Sequence, residues 1–284
     1  MTFRLSALLC CALAAASAAV ATQAHATERL NWGWFNAAPY MIAEGPDKGA
    51  GIFDQIRGLL KDEMPGYEHK DVQAPFPRIF QEIKNGNPWC FVGGVKNPER
   101  EALAYFSVPV AVFLPFKVVV RRDRLAEFSA GPGGSVSLAE LMARDGVRTS
   151  YLRGRSFSPQ INALLEQHPN RQYHSEFNEA LQMLLARRLD YLLELPIIST
   201  YSARQLGRDG ELAALTIHEH AEPTVNRVMC PRTEWGRQVV ARVNAVLHAQ
   251  RSSARYRAIV ERWSDEESLR IIRAIYPTQI LKSE

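Results

Sequence analysis

The apolar positions change their period several times along the chain. Leu30 to Trp34 is a short apolar-rich run that predicts a strand, and it leads into an aromatic, Pro-containing loop ending at Tyr40. From Gly51 the spacing becomes helical: Ile52, Phe53, Ile56, Leu59 and Leu60 share one face, and Pro65-Gly66 ends the run. A strand over 67–74 and a helix over 76–84 follow. After the turn Asn85-Gly86-Asn87-Pro88 comes a buried strand, Trp89–Gly93. This βαβαβ order predicts a parallel sheet covered by helices. Val108 to Arg121 reads as one long strand-like stretch, succeeded by a Gly131–Gly134 loop.

Beyond that loop the alternation starts again. Ser137 and Glu140 form a capping box. Strands are predicted over 147–151, 189–193 and 212–217, with helices over 157–167 and 177–188 and another from Pro196. After a strand over 226–230 the tail is helical, over 233–249, 254–263 and 265–276. One α/β unit thus follows another. Open α/β sheets bind ligands at the carboxyl ends of their strands, so two facing units make a cleft.

Composition narrows the class. Hydrophobic residues at 46% and charged residues at 23% exclude a disordered chain. A net charge of +4 with no run of like charges gives no ground for a nucleic-acid binder. Arg4, the apolar stretch Leu5–Ala21 and Ala24-His25-Ala26 read as a secretory signal peptide over 1–26, cleaved after Ala26 or at Ala19-Val20-Ala21, with a transmembrane anchor as the alternative, and a periplasmic protein is the expectation. Cys90 and Cys230 are the cysteines left after cleavage. In an oxidising compartment they are a candidate disulfide, the alternative being two buried thiols.

Several catalytic patterns are incomplete. Gly154-Arg155-Ser156-Phe157-Ser158 lacks the last glycine of a nucleophile elbow. His218-Glu219-His220 has no third ligand at zinc spacing and reads as an exposed strand end. No metal or cofactor is expected. The other features point to binding. Trp34, Phe35 and Tyr40 crowd one strand-to-helix loop. Arg100 follows the strand Trp89–Gly93 and could take a carboxylate through two hydrogen bonds, the alternative being a surface salt bridge. Arg153, Arg155 and Ser156 precede a helix whose N-terminus could face an anion. Glu194 follows another strand, where it could pair with an ammonium group or serve a structural role.

In order and wording the chain resembles the extracellular solute-binding proteins of family 3, the periplasmic component of amino-acid ABC importers. The resemblance runs through Ala38-Pro39-Tyr40, Gly51-Ile52-Phe53-Asp54, Asn97-Pro98-Glu99-Arg100, Phe106-Ser107-Val108-Pro109-Val110, Ser137-Leu138-Ala139-Glu140-Leu141, Arg187-Arg188-Leu189-Asp190 and the closing Asn244, Tyr256 and Trp263. It departs from the family at Asn97, Val110, Gly93-Gly94 and Glu194, which leaves the ligand open.

The resemblance implies a type II periplasmic binding fold, two α/β lobes joined by a two-strand hinge. Lobe 1 would take 27–118, lobe 2 119–221, and 222–284 would return to lobe 1 and the C-terminal helices. The return strand would then lie in the same sheet as Cys90, making Cys230 its neighbour. A small polar, amino-acid-like solute would bind in the cleft, its carboxylate on Arg100, its ammonium on Glu194 and its side chain against Trp34 and Tyr40, with Arg155 and Ser156 beside it. The protein would be a monomer whose partner is an ABC permease or a membrane receptor. A dehydratase-like enzyme on the same scaffold and a ligand sensor are the alternatives.

Overall fold

The computed structural model describes residues 28–128, 135–168, 171–219 and 222–282. The segment 1–26 expected to be a signal peptide, the Gly131–Gly134 loop and His220 lie outside them. The strands in chain order are β1 (Glu28–Trp34), β2 (Tyr67–Gln73), β3 (Trp89–Val95), β4 (Ala104–Phe113), β5 (Lys117–Arg121), β6 (Ser135–Val136), β7 (Tyr151–Leu152), β8 (Tyr173–His174), β9 (Leu192–Glu194), β10 (Leu212–Ile217) and β11 (Thr224–Pro231).

One sheet has the order β2-β1-β3-β11-β4 and the second β6-β10-β5-β9, with β7 and β8 as a separate pair. The parallel arrangement expected from the βαβαβ order holds for β2, β1 and β3, whereas β11 runs antiparallel to both β3 and β4. The second sheet is mixed: β5 is antiparallel to β10 and β9, and β6 is parallel to β10. The stretch Val108–Arg121 is not one strand. It divides at 114–116, and its halves belong to different sheets. Pro115 has no N–H to give a ladder, so the break falls where pairing cannot continue. Pro109 survives inside β4 because β4 is an edge strand. The chain crosses between the sheets twice, after β4 and again between β10 and β11.

The helix Ile52–Glu63 buries Ile52, Phe53, Ile56, Leu59 and Leu60 against the first sheet, as its apolar spacing requires. Its start is fixed by Asp54, whose Oδ2 accepts from Ile42 N at 2.8 Å and Gly51 N at 3.2 Å. A Cβ on Gly51 would stand 2.5 Å from Tyr40 O, so only glycine lets the loop and the helix meet. The tail helices stitch onto the same unit. Asn244 Oδ1 accepts from Val108 N, Tyr256 donates to Val110 O, and Trp263 Nε1 donates to Ala50 O, at 2.8, 2.9 and 3.0 Å.

Cys90 in β3 and Cys230 in β11 are fully buried and joined by a disulfide, with Cα atoms 4.4 Å apart. The β3–β11 register, in which Met229 faces Phe91, brings them together.

Candidate functional site

A cavity of about 70 Å³ lies between the two sheets' units. Seven aromatic side chains stand on its mostly apolar wall. Phe35 stacks on Phe91 and Phe177 at 5.8 and 6.4 Å, with Phe76 edge-on at 6.1 Å. Tyr40, Phe53 and Phe113 form a second group, with centroids 4.8–5.9 Å apart. Gly93 lines the cavity at φ +111°, and a Cβ there would sit 2.4 Å from Phe53. The polar side chains on the wall are Tyr40, Arg100, Arg155 and Ser156.

Arg100 stands on the short helix Pro98–Glu101, which begins just after β3 and is capped by Asn97 Oδ1 accepting from Arg100 N at 2.8 Å. Only 7% of the residue is exposed. Nη1 donates to Val95 O on its own lobe and Nη2 to Gly154 O on the other, both at 3.1 Å. The rings of Phe76 and Phe80 lie 5.2 and 5.7 Å from the guanidinium carbon. Burial pushes its pKa down to about 10, against the pull of Glu99. Among the described residues Arg100 has no ion-pair partner, and two of its roughly five N–H donors are used. A second contact joins the lobes beside it, Asn97 Nδ2 donating to Ser156 Oγ at 3.2 Å.

Arg155 and Glu194 are brought together by the second lobe. Arg155 Nη1 donates to both carboxylate oxygens of Glu194 at 2.7 Å, and Leu195 N donates to Oε1 at 2.6 Å. Both side chains are more than nine-tenths buried, at 9% and 8% exposed. Phe116, Phe177 and Phe157 surround the guanidinium at 4.6, 5.2 and 5.7 Å. Burial drives the Glu194 carboxyl above its ordinary range, and Arg155 opposes that rise.

Three expectations change here. Trp34 does not line the cavity. It lies under the guanidinium of Arg57, 5.7 Å away, while the next residue, Phe35, turns into the cavity. Glu194 also does not line it, since Arg155 stands in front. The helix after Arg155 starts at Pro159, and its cap is internal: Ser158 Oγ accepts from Ile161 N, and the Asn162 amide bonds Phe157. Tyr40, Arg100, Arg155 and Ser156 do meet at the cavity. Phe76, Phe91, Phe113 and Phe177 carry no site signal in the sequence, because each reads locally as an ordinary core residue of its strand or helix. Glu219 caps the helix Leu138–Met142, accepting from Leu138 N and Ala139 N at 2.9 and 3.0 Å.

No protein-family model and no curated protein sequence matches the chain. Solved structures do. A histidine kinase sensor domain with similarity to periplasmic binding proteins is 17% identical with a TM-score of 0.67, covering 83% of this chain and 95% of that one. An amino acid ABC transporter substrate-binding protein from Streptococcus pneumoniae bound to L-arginine is 16% identical with a TM-score of 0.65, covering 84% and 93%. An ancestral amino-acid-binding protein, a precursor of cyclohexadienyl dehydratase, is 17% identical with a TM-score of 0.63, covering 84% and 95%. Together with the strand order and the double crossing, these likenesses show a two-lobed periplasmic-binding-protein fold, the type II architecture expected from the sequence.

Proposed function

We propose that the protein is an exported solute-binding protein that takes a small carboxylate-bearing solute between its lobes and delivers it to an ABC permease. The observation that carries this reading is Arg100. It is a buried cation on the cavity wall, its hydrogen bonds reach both lobes, and it makes no ion pair among the described residues, the nearby Glu99 only partly offsetting its burial. A cation so placed is costly without an anion, and a ligand carboxylate supplies one. The cavity of about 70 Å³ is well below the ~300 Å³ at which ligand sites begin. A space of about 560 Å³ adjoins it and shares Arg100, Arg155 and Ser156, and a solute that fills the aromatic cavity itself needs the lobes to part at the two crossings, breaking the Arg100–Gly154 and Asn97–Ser156 contacts.

No His, Asp or Glu among the described residues lines the cavity, where an enzyme of the acid–base kind most often places one. His174 and Glu194 both lie behind the cavity wall, which supports binding over acid–base catalysis.

Isothermal titration of the exported protein against a panel of small carboxylates tests the reading. A charge-assisted hydrogen bond is worth ~1.5–3 kcal/mol, so Arg100→Met is expected to weaken binding roughly 10- to 100-fold. Unchanged affinity in a folded Arg100→Met variant would refute it.

A further inference from the structure

The carboxylate that could receive a ligand ammonium is already taken. Glu194 accepts from Arg155 through both oxygens and from Leu195 N, and it does not reach the cavity surface. The pair belongs to one lobe: Arg155 follows β7, and Glu194 ends β9 in the second sheet. Lobe opening does not separate them. The aromatic rings around the guanidinium, Phe116, Phe157 and Phe177, hold it against Glu194.

On the wall of the aromatic cavity the charges then count simply. Arg155 and Glu194 cancel, and Arg100 remains as one cation with no ion pair among the described residues, drawn only by Glu99 outside the cavity wall. Tyr40 is 4% exposed, and its hydroxyl has no hydrogen-bond partner among the described residues, leaving a neutral donor on the same wall. The remainder of the wall is aromatic and aliphatic. An ammonium group entering here would lose its water and find no acceptor of opposite charge.

We propose, resting on the carboxylate-binding reading above, that the ligand is a monoanionic organic acid with an apolar or aromatic body and no amino group, Arg155 acting as a built-in cation in the place of a ligand ammonium. The chain thus keeps the two-lobed scaffold while selecting against zwitterionic amino acids. Specificity of this kind comes from the unmet cost of burying the wrong group as much as from contacts to the right one.

Matched pairs that differ only in the ammonium test this: 3-phenylpropanoate with L-phenylalanine, and 4-methylpentanoate with L-leucine, titrated into the exported protein at neutral pH. The desamino acid is expected to bind at least tenfold more tightly in at least one pair. Arg155→Met uncovers Glu194 and is expected to shift that ratio at least tenfold toward the amino acid. Arg155→Met/Glu194→Gln removes both charges and is expected to keep the desamino preference, which holds the test open if the single variant does not fold. A desamino preference under tenfold in both pairs, tighter binding of the amino acid included, overturns the inference, as does an unshifted ratio in folded Arg155→Met. If that amino-acid binding is lost in Arg100→Met, only the ligand class is wrong. If no member of either pair or of the carboxylate panel binds, the carboxylate-binding reading falls with it.

Discussion

Reduction of the Cys90–Cys230 bond is expected to cost this fold a large part of its stability. The bridge joins neighbouring strands of one sheet but closes a loop with a sequence separation of 140, and that loop contains the whole second sheet. The chain-entropy relation gives about 5 kcal/mol for a loop of that length, and measured losses of native disulfides run at ~2–5 kcal/mol. Both sulfurs are buried in the core, so a reduced pair keeps its packing and the loss falls mainly on the denatured state, which becomes freer. Guanidinium unfolding of the chain beginning at Thr27, with and without reductant, measures the difference. The expected result is an unfolding free energy lowered by about 2–5 kcal/mol, the midpoint falling with it, as the denatured ensemble becomes more expanded. The bond does not cross the cleft, so ligand affinity of the reduced, still folded protein should be unchanged. Two free thiols in the unreduced, denatured chain would refute the bridge. A stability difference under about 1 kcal/mol would refute the loop-closure reasoning.

Two further outcomes follow from the geometry. His174 is buried, with Ser150 Oγ at 2.9 Å from its Nδ1; burial and then the nearby Arg155 push its pKa down to about 4. The folded state thus prefers the neutral ring: its contribution is fully present above the ordinary value near 6.5 and is lost as the pH falls toward 4, about 3 kcal/mol in all. His174→Gln should flatten that part of the pH–stability curve, and parallel curves for the two proteins would exclude the assignment. Gly93→Ala places a methyl group where Phe53 stands, at a φ of +111°, and should destabilise the protein by about 1–3 kcal/mol while pushing Phe53 into the cavity. A variant with native melting temperature and native affinity would contradict this.

The local order of the chain determined much of what is seen. The helical spacing of Ile52 to Leu60 fixes one buried face, and Gly51 and Asp54 fix where that helix begins. The position of Arg100 just beyond a buried strand places it at the mouth of the sheet, where the structure finds it. Periodicity says which face of an element is buried but not what it is buried against. That is why Val108–Arg121 reads as continuous although Pro115 divides it between two sheets. It is also why Trp34 and Phe35, adjacent in sequence, exchange roles: strand geometry sends neighbours to opposite sides, and only the packed structure shows that Arg57 covers one while the cavity receives the other. The Arg155–Glu194 pair joins residues 39 positions apart on separate elements, each of which by itself looks open to a ligand. Tertiary packing turns the two charges toward each other because a buried carboxylate and a buried guanidinium each cost more alone than together, and so the fold decides what the cleft can hold.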